Sequence, residues 1–286
     1  MNLSARTAFV FTGGGSLGAV QVGMLKAMLD HGVRADLVAG ASVGAINAFC
    51  FACQPDVDGL ARLETIWRAM RRVDIFPSPT LRESWRILRG RGHLLSAHGL
   101  EHLLRTQLPA QQLAATRIPC QVIAADAIHG TAVTLERGAA LPALAASAAI
   151  PALFPPVQID GQTLIDGGFA YQAPFESVIA AGVTRMYLLP TGYTCARGAV
   201  PRTALGRALH TLNLLMVSKL IGSIRYHSRQ CEILVVPPLC PLDVSPLNFS
   251  HTGELIERAE KQTALWLRQR THGDEELPRQ LVPHRH

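Results

Sequence analysis

The sequence predicts an α/β fold, a mostly parallel sheet with helices on its faces. Three stretches near the start carry that reading. An apolar run, Thr7 to Thr12, enters Gly13-Gly14-Gly15-Ser16-Leu17-Gly18 without a break. Ala19 to Leu29 follows, with Val20, Met24, Ala27 and Met28 at helical spacing. A second apolar run, Leu37 to Ala41, then passes through Gly40-x-Ser42-x-Gly44 into small and apolar residues. Strand, helix, strand, helix in this order predicts neighbouring parallel strands, because the crossover helix returns the chain to the same end of the sheet.

The remaining elements follow in order. His31-Gly32 ends the first helix. Leu60 to Arg71, Thr80 to Arg89 and Ser96 to Gln107 read as helices, the last with Ser96 as its N-cap, and residues 55–110 read as a helical cap or insertion. Cys120 to Ala127 and Thr131 to Glu136 read as strands, and Leu141 to Ala148 as a small-residue helix. Val157 to Ile159 and Thr163 to Ile165 flank Asp160-Gly161, a hairpin signal. Phe175 to Ala181 reads as a helix, Arg185 to Leu189 and Glu232 to Val236 as strands, and Gly253 to Arg270 as an amphipathic helix. Thr203 to Arg225 is a helix apolar around much of its girth, either a core helix or one that touches a membrane or a second copy. Residues 271–286 read as a polar, flexible tail behind a catalytic domain of residues 1–270.

Composition narrows the class. At 286 residues with 48% hydrophobic and 17% charged content, the chain suits one large globular domain with a cap, not a disordered protein. The six cysteines form no disulfide framework, and Cys50 and Cys53 read as small core residues on one helix face. His98 and His102 share a helix face but lack a third ligand, so a solvated face is expected rather than a metal site. No apolar run reads as a membrane span, and the first strand begins too early to leave room for a signal peptide, so a cytoplasmic location is expected. Arg82, Arg86, Arg89 and Arg91 cluster, and a solvated helix face is expected there, while the net charge of +6 with Arg202, Arg207, Lys219 and Arg225 on the apolar helix allows peripheral contact with anionic membranes. No nucleic-acid-binding motif accompanies these charges.

The chemistry centres on Ser42. In a strand-turn-helix context, flanking glycines leave room for a sharp elbow that lifts the hydroxyl out and aims a helix N-terminus at it. A serine nucleophile needs a base and donors for an oxyanion. Gly13, Gly14 and Gly15 can present successive backbone N–H groups as such donors, and parallel pairing brings their loop beside Ser42. The same loop satisfies G-x-G-x-x-G, but a dinucleotide site needs an acidic residue ending the second strand, where Ala41-Ser42 stands instead. Asp166, ending a strand before Gly167-Gly168, is the acidic residue with a motif around it, read as exposed and partly desolvated; a simple turn is the other reading.

Taken together, Gly13-Gly14-Gly15-x-x-Gly18, Gly40-x-Ser42-x-Gly44 and Asp166-Gly167-Gly168 resemble the patatin-like phospholipase family, as do Ser147 to Pro156 and Pro174. The resemblance implies a three-layer α/β/α fold with a central, mostly parallel sheet. It implies a Ser-Asp dyad hydrolysing phospholipid or other lipid acyl esters, with no histidine, metal or cofactor. By position, Ser42 is the nucleophile, Asp166 the general base, and Gly13, Gly14 and Gly15 the oxyanion hole. Two positions depart from the pattern: Leu17 stands where the family often has Arg or Lys, and Gln172 where it often has Asn. An α/β-hydrolase with a Ser-His-Asp triad and a silent lipid-binding module are the alternatives.

Overall fold

The computed structural model describes residues 6–76, 96–151, 153–170, 173–192, 204–269 and 277–282. The helix and basic cluster expected between residues 80 and 91 lie outside them, as do Arg202 and Gln172.

The strands are β1 (Thr7–Phe11), β2 (Leu37–Ala41), β3 (Cys120–Asp126), β4 (Ala132–Leu135), β5 (Val157–Ile159), β6 (Gln162–Asp166), β7 (Arg185–Leu189) and β8 (Glu232–Val235). They form one sheet in the order β5-β6-β3-β2-β1-β7-β8, with β4 also paired to β3. The centre, β3-β2-β1-β7-β8, is parallel, while β4 and β6 pair antiparallel with β3 and β5 with β6. Phe11 lies opposite both Gly40 and Leu189, so β1, β2 and β7 end level and the loops that leave them crowd together.

Successive residues of the central strands face opposite layers. Phe9, Phe11, Val38 and Leu189 enter one core with α1 (Ala19–Asp30), α2 (Val43–Cys53), α3 (Val57–Ala69) and, at the chain's far end, the long helix Thr252–Gln269. Ala8, Val10, Ala39 and Leu188 enter a second core with Phe175, Val178, Leu220 and Ile224 from the helices Ala173–Ala180 and Ala204–His227. Burial on both faces explains why these strands read as continuous apolar runs rather than alternating ones.

The cap consists of α3, α4 (Arg72–Ile75) and α5 (His98–Gln107). Leu60, Leu63 and Trp67 of α3 and Leu100 and Leu104 of α5 belong to the same core as α1 and α2, so the cap shares the domain's main core. The expected N-cap at Ser96 is corrected: Ala97 caps α5 without a side-chain hydrogen bond, while Ser96 Oγ accepts the His98 N–H at 3.3 Å. The helices that follow are α6 (Ala140–Ser147), α7 (Ala173–Ala180), α8 (Ala204–His227) and α9 (Thr252–Gln269).

Residues 277–282 depart from the polar tail expected over 271–286. Leu281 is buried in the core under α7 and α8, with Leu277 packed beside it. Two leucines four apart suffice to seat this short stretch on apolar surface, despite its polar surroundings. No helix among the described residues is long and apolar enough to cross a membrane. On α8, Leu220 and Ile224 are buried, while Leu214 and Leu215 stand exposed.

Candidate active site

The site forms along one edge of β3. β4 pairs with Val122 to Ala125, overlapping the β3 residues that pair with both β2 and β6. A strand has two edges, so β4 takes one and β2 and β6 share the other. β2 ends with Ala41 opposite Ile123, and β6 ends with Asp166 opposite Ala124. The two strands therefore meet end to end, and Ser42 leaves β2 where Asp166 leaves β6.

Ser42 occupies φ 57°, ψ −135°, a strained conformation for a residue with a side chain, costing on the order of 1–3 kcal/mol. The close approach of strand and helix requires the flanking glycines: a Cβ on Gly40 would lie 2.5 Å from the Gly44 carbonyl oxygen, and one on Gly44 2.5 Å from that of Thr12. The Ser42 N–H donates to Ser147 Oγ at 3.0 Å, and that hydroxyl donates to the Ile123 carbonyl at 2.6 Å. Ser147, at the end of α6, thus ties the elbow to β3. Ser42 also caps α2, whose N-terminus carries the positive end of the helix dipole.

Asp166 is 3% exposed, which corrects the expectation of an exposed carboxylate. Its N–H donates to the Ala149 carbonyl, so the segment after α6 covers it. Oδ1 accepts the Gly168 N–H at 2.7 Å, and Oδ2 has no hydrogen-bond partner. Burial pushes the carboxyl up to about 6, against the opposing influence of the Ser42 hydroxyl and the Gly168 N–H. The Ser42 hydroxyl is thus near enough to favour the carboxylate, while Oδ2 itself has no hydrogen-bond partner.

The glycine loop closes the third side. A Cβ on Gly13 would lie 2.9 Å from Ser42 Cβ. The Gly13 carbonyl accepts Thr191 Oγ1–H at 2.7 Å, and in a planar trans peptide this turns the Gly14 N–H away from Thr191. The N–H groups of Gly13, Gly14 and Gly15 make no hydrogen bond among the described residues. The far end of the loop is pinned where Ser16 N–H and Oγ–H donate to the Pro246 and Ser245 carbonyls.

From Ser42 an apolar pocket runs between α2 and the cap helices. Ile46 and Cys50 line it at successive turns of α2, with Ile66, Met70, Phe76 and Leu104 facing them. Ala148, Ile150 and Phe154 contribute, but most of the wall comes from the cap. Cys50 therefore lines this pocket as well as packing on the core, and burial pushes its thiol up to about 12.

Several histidines are occupied elsewhere: His129 pairs with Asp126, His251 with Glu254, and His227 Nδ1 with the Ser223 carbonyl. Among the described residues no group of three His, Cys, Asp or Glu is placed to hold a metal. Thr191 and the positioning role of Ser147 escaped sequence reasoning. Ser147 lies inside a stretch that resembles the family, which signals its importance without its partner; Thr191 carries no signal.

A family model described as patatin-like phospholipase matches residues 9–179. An uncharacterized NTE family protein of Mycobacterium tuberculosis is 28% identical over 187 residues, which is 63% of this chain and 47% of that protein. Lysophospholipase NTE1 of Candida albicans is 22% identical over 191 residues, 64% of this chain and 13% of that protein. The chain spans less than half the length of these curated relatives. Among solved structures, human GIVD cytosolic phospholipase A2 in complex with methyl gamma-linolenyl fluorophosphonate aligns with a TM-score of 0.47 at 10% identity, covering 93% of this chain and 58% of that one. With the family model spanning more than half its length, this chain belongs to the patatin-like phospholipase family.

Proposed function

We propose that this chain is a serine acylhydrolase of phospholipid or other lipid acyl esters, with Ser42 as nucleophile and Asp166 as general base. One observation carries the reading: Asp166 ends β6 against the elbow that ends β2, and its buried carboxyl keeps Oδ2 unpartnered while feeling the Ser42 hydroxyl. In this scheme Ser42 Oγ attacks the ester carbonyl as its proton passes to Asp166. The oxyanion is met by N–H groups of the glycine loop, where fixed donors do not have to reorganise during reaction. Collapse expels the alcohol, which takes the proton from Asp166. Water then attacks the acyl-enzyme, gives a proton to Asp166, and releases the fatty acid as Ser42 regains its own. A base held near 6 is better matched to neutral pH than an ordinary carboxylate.

The apolar pocket receives the acyl chain, and no step needs a metal or cofactor. Peripheral association with anionic membranes is supported by exposed Leu214 and Leu215 beside exposed Arg207, Lys219 and Arg225 on α8. The test is hydrolysis of a lipid panel, read by mass spectrometry, together with fluorophosphonate labelling. Parental protein should release fatty acid and take the label at Ser42, and Ser42→Ala should do neither. A parental protein that folds but neither labels nor hydrolyses would leave a lipid-binding module. Loss of turnover on replacing one histidine, with Asp166→Asn still active, would indicate a Ser-His-Asp triad.

A further inference from the structure

The glycine loop is clamped at both ends by one buried pair of amide side chains. Gln21 of α1 and Asn47 of α2 are fully buried. Gln21 Nε2 donates to the carbonyls of Thr12 and Leu189, each at 2.9 Å. Thr12 is the residue through which the chain enters the loop, and Leu189 ends the adjacent strand β7. Asn47 Nδ2 donates to the Gly18 carbonyl at 2.9 Å, where the chain leaves the loop, and to Gln21 Oε1 at 2.8 Å. Asn47 lies just over one turn beyond Ser42 on the helix that Ser42 caps. The pair therefore references both ends of the loop to the helix that carries the nucleophile.

A third side chain sets the pair's orientation. Trp67 Nε1 donates to Asn47 Oδ1 at 2.9 Å. An indole N–H is only a donor, so the atom facing it must be the amide oxygen, and Nδ2 must face Gly18 and Gln21. Trp67 belongs to the cap helix α3, lines the apolar pocket and stacks on Phe249, which also meets Phe76. The cap wall and the loop are thus joined through two amides whose polar atoms all have partners.

We propose that Gln21 and Asn47 are positioning residues that align the N–H donors of the glycine loop with Ser42, and that the Trp67 indole N–H holds them in that alignment. The proposal rests on the Ser42 hydrolase reading for its effect on turnover, but not for its effect on the loop. An ångström of misplacement in a reacting constellation costs up to about a hundredfold in rate. A fault confined to donor alignment lowers kcat and leaves KM in place where the acyl pocket is untouched, as with Gln21, which does not line it; general loosening of the core would lower thermal stability without that split.

The experiment compares Trp67→Phe, which keeps a ring in the wall but deletes the N–H, and Gln21→Met, which keeps length but deletes both donors. Turnover of p-nitrophenyl hexanoate and the backbone amide resonances of Gly13 to Gly18 are measured in each folded variant. For Gln21→Met the expected result is a kcat reduced about tenfold or more with KM changed less than about twofold, and shifted loop resonances. Trp67→Phe, whose ring lines the pocket, should show the same fall in kcat and the same shift of the loop resonances. Unshifted loop resonances in a folded variant, or a raised KM with kcat preserved, would overturn the proposal. If Gln21→Met does not fold, Trp67→Phe decides alone. If the parental protein has no turnover, the hydrolase reading fails and the loop resonances still decide this one.

Discussion

At the scale of the residue, Asp166 joins two properties that pull against each other. Burial holds its carboxyl near 6, above the ordinary 3.8. The folded state therefore binds more protons than the unfolded state between those values, so this residue's contribution favours folding below about pH 4 and is lost as pH rises through about 6. The shift corresponds to a penalty on the order of 3 kcal/mol when the group is fully ionised. Asp166→Asn should consequently be more stable than the parent at pH 8, by about 1–3 kcal/mol, with the difference shrinking toward pH 4; chemical denaturation at both pH values measures it. The same substitution should lower turnover by a factor on the order of a hundred to ten thousand, the range typical of a general base. In the parental enzyme, kcat/KM should fall with unit slope below about pH 6, as the base becomes protonated. A pH profile with no acidic limb between pH 5 and 7 would contradict the assignment.

At the scale of the element, the loop between β1 and α1 works because it carries no side chains where its neighbours press on it. A Cβ on Gly14 would lie 2.3 Å from Thr191 Oγ1, the group that holds the Gly13 carbonyl. Gly14→Ala should displace Thr191 or the loop, and kcat should drop by about a hundredfold while circular dichroism shows an intact fold. Helix α2 serves differently, carrying Ser42, the proposed nucleophile, at its N-terminus and one wall of the pocket along its length. Cys50 lies eight residues beyond Ser42, or about 12 Å along the axis. Cys50→Phe should shorten the pocket, raising KM for p-nitrophenyl decanoate more than for the acetate. Each buried methylene is worth about 0.8 kcal/mol, so losing two sites should shift chain-length preference by roughly tenfold. An unchanged preference would place the acyl chain elsewhere.

At the scale of the whole molecule, the sheet separates two duties. One face bears α1, α2, α9 and the cap, and holds the pocket; the other bears α7 and α8, with the exposed leucines of α8 outward. With a net charge of +6 and exposed cations beside those leucines, binding to vesicles should strengthen with anionic lipid and weaken with added salt. Leu215→Glu should weaken binding to anionic vesicles several-fold by placing like charge at the surface. Equal co-sedimentation with neutral and anionic vesicles at low salt would refute this role for α8.

What was legible in the sequence was whatever a short stretch of backbone imposes. Gly40 and Gly44 around Ser42, the triple glycine after β1, and Asp166 before two glycines each mark a turn whose geometry excludes most side chains, and the apolar runs mark strands covered on both faces. Such constraints act over a few residues and leave their mark there. The tertiary structure alone decided how these pieces meet. Nothing local indicates that β2 and β6 share an edge of β3, or that Asp166 is buried rather than exposed, because antiparallel pairing across a long insertion leaves no periodic trace. Ser147 reaches Ser42 across 105 residues, and Thr191 reaches Gly13 across 178. Gln21, Asn47 and Trp67 look like ordinary members of their helices until packing removes them from water. A buried amide must then find partners wherever the fold supplies them, and here it supplies them at the two ends of the loop beside Ser42.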